Sequence, residues 1–261
     1  MRFFRSVFFY IILFLSTIIL GISAVAGSFV SRAWATWMAS IWGNTNLWAA
    51  GVKVNIRGVE NMGDHGPYII VSNHQGWFDI FTALAKMPIR FSWLAKEELF
   101  KIPILGHAMH KAGYISIDRK DHRKALASMN KAAEAIRQGT SVFIFPEGTR
   151  SADGVIKDFK KGVFVLAVKS QQPIVPVSIS GSYRILPKDS WMIYPGEIRF
   201  SIGNPIPTAG IGNTGRDRLM EQVREAICSN LTFEEAGGDR KADPEIQGTL
   251  LNEGSSICRD A

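Results

Sequence analysis

Cysteine is nearly absent from this chain: Cys228 and Cys258 are the only two in 261 residues. Two cysteines cannot build a disulfide framework, and their separation is no zinc-ligand spacing. Histidine is scarce as well, with five in all. The one close pair, His107 and His110, has no cysteine or carboxylate beside it, so no metal is expected there. No internal repeat runs along the sequence. No G-x-S-x-G elbow surrounds Ser72, which argues against a serine nucleophile there. Basic-aromatic modules and recognition-helix signatures are also missing, so nucleic acid is not expected as a partner. Charge is missing altogether from two long stretches near the N-terminus, residues 7–30 and 33–50.

The composition that remains is 46% hydrophobic and 20% charged, which excludes both a wholly disordered chain and a polytopic membrane protein. The formal net charge is +7. Residues 234–261 hold seven acidic and three basic side chains, a net −4 that leaves residues 1–233 at +11. A body that basic seeks a polyanion: nucleic acid, an anionic membrane surface or phosphorylated substrates.

The uncharged N-terminal run chooses among these. Val7 to Val30 would make a helix of about 36 Å, against a hydrocarbon core of about 30 Å. Two other readings compete. A secretory signal peptide would use Arg2 and Arg5 as its n-region and Ala24-Val25-Ala26 as its cleavage site. A buried core helix is the third. The next stretch carries Trp34, Trp37, Trp42 and Trp48, a residue type that favours the headgroup level, although the same rings would also serve a domain core. A single crossing would carry the rest of the chain to the far side of the membrane. A re-entrant hairpin, with 7–30 and 33–50 as its arms, returns the chain to the side it started from and is the expectation here.

From residue 52 the pattern turns α/β. Strands are expected over Val52–Arg57, Tyr68–Ser72, Arg90–Ala95, Gly113–Ile117, Ser141–Phe145, Ile174–Ser180 and Glu197–Ile202. Helices are expected over Asp121–Gln138, closed by Gly139, and over Thr214–Asn230. Alternating strands and helices predict a three-layer α/β fold with a mostly parallel, mixed sheet and an N-terminal membrane-associated helical hairpin. The expected divisions are an anchor over 1–50, a catalytic domain over 51–233 and a disordered acidic tail over 234–261.

Four strands run straight into polar clusters. Asn73 to Asp79 follow the second expected strand, Lys96-Glu97-Glu98 the third, Asp118-Arg119 the fourth, and Pro146 to Ser151 the fifth. Carboxyl ends of parallel strands share one crevice, so parallel pairing would bring His74, Asp79, Lys96, Arg119, Glu147 and Arg150 to one site. On a regular helix His74 and Asp79 would diverge by about 140°. With His74 in the turn and Asp79 in the first helical turn the two can meet, and the carboxylate then orients an imidazole base. A base with no nucleophile of its own activates a hydroxyl brought by the substrate. Arg150 offers a phosphate-binding fork, and Gly148 allows close backbone approach.

These segments resemble the 1-acylglycerol-3-phosphate acyltransferases, or lysophosphatidic acid acyltransferases. The resemblance rests on Asn73-His74 through Asp79, on Gly113-Tyr114-Ile115-Ser116-Ile117-Asp118-Arg119, on Phe145-Pro146-Glu147-Gly148-Thr149-Arg150-Ser151, and on Val175-Pro176-Val177. It covers about residues 52–207. It implies that His74 is the base and Asp79 its orienting partner. Lys96, Arg119, Glu147, Gly148, Thr149 and Arg150 are implied to bind substrate, and Val175 and Pro176 to line the acyl or acceptor pocket. The implied reaction moves a fatty acyl group from acyl-CoA or acyl carrier protein to the sn-2 hydroxyl of lysophosphatidic acid, with no metal or bound cofactor required. Membrane phospholipids are then partners, and the site lies on the cytoplasmic side of a bacterial inner membrane. Another lysolipid acceptor (a lyso-ornithine lipid or a phospholipid being remodelled), a non-catalytic anionic-lipid adaptor and a secreted hydrolase are the competing readings.

Overall fold

Period-two alternation decides which way each strand faces, and the β-branched runs at residues 69–72, 142–144 and 174–180 are buried on both faces. The computed structural model describes residues 2–63, 66–118 and 121–238. Its strands are β1 Lys53–Arg57, β2 Ile69–Ser72, β3 Ser92–Lys96, β4 Ile115–Ile117, β5 Val142–Ile144, β6 Ile174–Ser180 and β7 Glu197–Ile202. They form one sheet in the order β1-β7-β6-β2-β5-β3-β4. β2 to β6 all run parallel; β7 lies antiparallel to β6, and β1 follows β7 in parallel. The expected mixed, mostly parallel α/β sheet is the one observed.

The helices are α1 Arg2–Gly27, α2 Arg32–Ala50, α3 Phe78–Lys86, α4 Leu105–Lys111, α5 His122–Arg137, α6 Gly162–Ser170 and α7 Arg216–Cys228. α5 begins where expected because the Asp121 carboxylate caps it, accepting from the N–H groups of Arg123 and Lys124. On one face of the sheet Ile69, Val71, Val142 and Ile174 pack against α5, α6 and α7. On the other, Ile70, Phe143, Val175, Val177 and Ile179 meet Phe9 of α1, Leu47 and Ala50 of α2, and Phe78 and Phe81 of α3. Each such fully buried Ile, Leu or Phe contributes about 1.5–3 kcal/mol.

That second face carries residues from both sides of the expected division at residue 50. α1 and α2 form a hairpin whose inner side packs on the body. At its start α1 is tied to the loop before β7: the Ile193 N–H donates to Ser6 Oγ at 2.8 Å, and Phe3 meets Trp191 edge to face. Just past its other end, Lys111 of α4 sits over the Phe29 ring. Polar side chains join the two arms within the hairpin. Trp42 Nε1 donates to Thr17 Oγ1 at 3.0 Å, and Trp34 Nε1 to the Ser23 carbonyl at 3.1 Å. Gly43 lets α2 approach α3 closely, since a Cβ there would lie 2.6 Å from the Phe81 carbonyl oxygen. The outward side of the hairpin stays apolar: Phe4, Phe14, Ile19, Val30, Trp37 and Trp48 are all more than half exposed. α1 is long and apolar enough to cross a membrane.

The first residues of the tail expected from residue 234 also pack on the body. Glu235 and Ala236 are buried in the body, because the Glu235 carboxylate finds donors there in Ser180, Gly181 and Thr232. Residues 239–261, the rest of that expected tail, lie outside the described residues.

Candidate active site

Because β2, β5, β3 and β4 are parallel neighbours, their carboxyl ends open on one edge of the sheet. His74 stands in the turn after β2, and Asp79 in the first turn of α3. His74 Nδ1 lies 2.7 Å from Asp79 Oδ2. The same oxygen accepts from the N–H groups of Gln75 at 2.7 Å and Gly76 at 2.8 Å. Asp79 Oδ1 accepts from the Ser182 hydroxyl. The carboxylate is wholly buried, and the imidazole keeps 15% exposure. With Nδ1 turned to that carboxylate, Nε2 is the ring nitrogen that faces away from it. The ring lies flat on Phe145, with centroids 4.0 Å apart and planes 11° apart.

Asn73 fixes this turn to the sheet. Its amide donates to the Ile179 carbonyl and accepts from the Ile179 N–H, both at 2.8 Å. The Ser151 N–H donates to the His74 carbonyl at 2.8 Å, which joins the turns after β2 and β5. Ser72 is buried and spends its hydroxyl on the Asn73 carbonyl, so it offers no nucleophile.

His74 opens onto a cavity of about 530 Å³, within the range of small-molecule sites. Lys96, Gly148, Thr149 and Arg150 share its wall with His74. Arg150 rests on the Trp77 ring at 4.9 Å, and Lys96 pairs with Glu98 at 3.2 Å. The remaining wall is apolar and comes from α1, α2, α3, β3 and α4, with Leu20, Ala24, Met38, Ile80, Leu94 and Met109 among its residues. Gly148 holds φ at +71°, a conformation that favours glycine, and so turns the chain from β5 into the cavity wall.

Three of the expected site residues sit elsewhere, and a fourth falls outside the described residues. Glu147 turns inward: it is 3% exposed, and its carboxylate accepts from the backbone N–H groups of His74 at 2.6 Å and Lys157 at 3.2 Å. Burial pushes its carboxyl up to about 8, against the pull of those two bonds, and the Asp79 charge adds to the rise. It ties the His74 turn to the 157 loop and does not reach the cavity wall. Val175 and Pro176 do not reach it either, because they lie within central strand β6 with Val175 fully buried. Arg119 lies outside the described residues.

Three contributors escaped the sequence reading. A lone serine after a strand carries no signal, so Ser182 was invisible. Gln75 is buried, and its amide donates to the Gly154 carbonyl at 3.0 Å. Tyr114, from the second motif, faces the cavity, and burial pushes its phenol up, which keeps it protonated. The apolar wall given by α1 and α2 was hidden for another reason: a run apolar on every side does not reveal which side packs.

An imidazole paired with a carboxylate, two cations and an apolar cavity share one edge of this α/β sheet, and residues 53–180 match the family described as Acyltransferase. The chloroplastic 1-acyl-sn-glycerol-3-phosphate acyltransferase of Arabidopsis thaliana is 34% identical over 202 residues, 77% of this chain and 55% of that protein. The 1-acyl-sn-glycerol-3-phosphate acyltransferase of Limnanthes alba is 33% identical over 190 residues, 72% of this chain and 67% of that protein. Among solved structures, the 1-acyl-sn-glycerophosphate (LPA) acyltransferase PlsC of Thermotoga maritima superposes with a TM-score of 0.77 at 28% identity, covering 87% of this chain and 92% of that one. The chain belongs to the 1-acyl-sn-glycerol-3-phosphate acyltransferase family. It spans a little over half the length of the first curated relatives it matches.

Proposed function

We propose that this chain transfers a fatty acyl group from a thioester donor, acyl-CoA or acyl carrier protein, to the sn-2 hydroxyl of lysophosphatidic acid, giving phosphatidic acid at a membrane surface. The observation that carries the reading is the His74–Asp79 pair, 2.7 Å apart, on the wall of a cavity that also bears Lys96 and Arg150. The activity for which the relatives are named favours this acceptor. Lys96 and Arg150 hold the acceptor phosphate, the guanidinium through paired bonds and the ammonium as a point charge. The apolar wall takes the acyl chain.

His74 Nε2 removes the proton of the sn-2 hydroxyl as its oxygen attacks the thioester carbonyl. Asp79 stabilises the imidazolium that forms, and such a positioned base supplies roughly 10²–10⁴-fold. The N–H groups of Thr149 and Arg150 flank the cavity and donate to no acceptor among the described residues. They are the donors we assign to the tetrahedral oxyanion. As the intermediate collapses the C–S bond breaks, the new ester stays on the acceptor, and the departing sulfur takes the proton from His74. No cofactor enters this scheme.

The hairpin supplies the membrane contact. Both ends of α1 are tied to the body, so an α1 crossing the bilayer would pull those ties apart; the exposed apolar side instead sinks into one leaflet. The body then remains on the cytoplasmic side, with the thioester donors. The test is acylation of lysophosphatidic acid in phospholipid vesicles. The native protein should form phosphatidic acid, and His74→Ala should lose about a thousandfold in kcat while still sedimenting with the vesicles. Turnover unchanged in His74→Ala would sink the reading.

A further inference from the structure

Asp79 Oδ2 has three partners, whereas Oδ1 has one among the described residues, the Ser182 hydroxyl. Both side chains are completely buried, so water cannot replace that donor. A buried carboxylate oxygen left without a hydrogen bond is costly enough to protonate the group or turn it away from its other partners. Ser182 follows β6 and Gly181 directly, so its place depends on the end of that strand. Two contacts hold the strand end. The Asn73 amide pairs with Ile179, and the Glu235 carboxylate accepts from Ser180 Oγ at 2.7 Å and the Gly181 N–H at 2.8 Å.

We infer that Ser182 is a positioning residue that fixes the Asp79 carboxylate and, through it, the tautomer and orientation of His74. The strand expected to line the substrate pocket instead delivers this hydroxyl behind the acid–base pair. The inference rests on the acyl-transfer reading above for its kinetics, though not for its geometry.

A double-mutant cycle tests it. Ser182→Ala should lower kcat about tenfold, the loss of one hydrogen bond to a charged group. KM for donor and acceptor should stay within about twofold, because the hydroxyl touches neither. In an Asp79→Asn background the same change should cost less than about twofold, because the hydroxyl is linked to His74 through that carboxylate, and its other contact, to Gln75 Oε1 at 3.4 Å, does not reach the ring. An equal loss in both backgrounds, a loss carried by KM, or an unchanged kcat would each overturn the inference. The ¹⁵N resonances of the His74 ring give a reading without turnover. The native protein should show the Nδ1–H tautomer, and Ser182→Ala should populate the other as well; unchanged populations would overturn the inference. A tautomer shift in a chain inert toward every lysolipid would instead sink the acyl-transfer reading alone.

Discussion

A carboxyl group at the centre of a protein holds its charge only while its neighbours supply hydrogen bonds. Asp79 and Glu147 differ in how many they have. Asp79 collects four donors and braces His74, whereas Glu147 has two backbone donors and burial pushes it up to about 8. The folded protein therefore keeps a proton on Glu147 between its ordinary 4.5 and about 8, where the unfolded chain has released it. Stability from this group is complete below the lower value and is lost as pH rises through the upper one. Thermal denaturation from pH 5 to 9 should show a falling Tm in the native protein and a flatter course in Glu147→Gln. Arg150→Ala, which removes a cation from the cavity wall, should raise the acceptor KM about tenfold or more in steady-state assays and change kcat less. The sequence showed the polar clusters because each interrupts an apolar run at a strand end. It could not show that Glu147 points inward while Thr149 and Arg150 reach the cavity, because a positive-φ glycine between them redirects the chain.

Elements were legible where β-branched and aromatic residues cluster. Those runs locate all seven strands to within two residues, and the central strands β2, β5 and β6, covered on both faces, leave few alternatives to Val and Ile. Strand order and the reversal at β7 were not legible, because pairing is decided by contacts far apart in sequence. The approach of α2 to α3 was equally hidden. Gly43 sits inside a helix, where replacing glycine by alanine ordinarily gains up to about 1 kcal/mol. Here the added methyl meets a backbone carbonyl of α3, so Gly43→Ala should instead destabilise the protein by about 1–3 kcal/mol. Chemical denaturation in detergent would read the sign directly, and a stabilised variant would mean that the two helices do not meet as described.

Across the whole molecule the hairpin serves two solvents. Its inner side completes the core and the cavity, while Phe4, Phe14, Ile19 and Trp37 face outward. Replacing Phe14 and Ile19 together by Glu should lower the fraction sedimenting with vesicles by about tenfold or more, with the thermal transition in detergent little changed. Loss of the fold in that variant would instead assign the outward side to the core. The Glu235 contact sets an order of events during synthesis. All four sequence motifs leave the ribosome before residue 235 does, so a nascent chain already holds its acid, base and cations while the end of β6 still lacks its clasp. The fold is finished from behind, and a protein cut at residue 233 would carry a complete signature over an unsecured foundation.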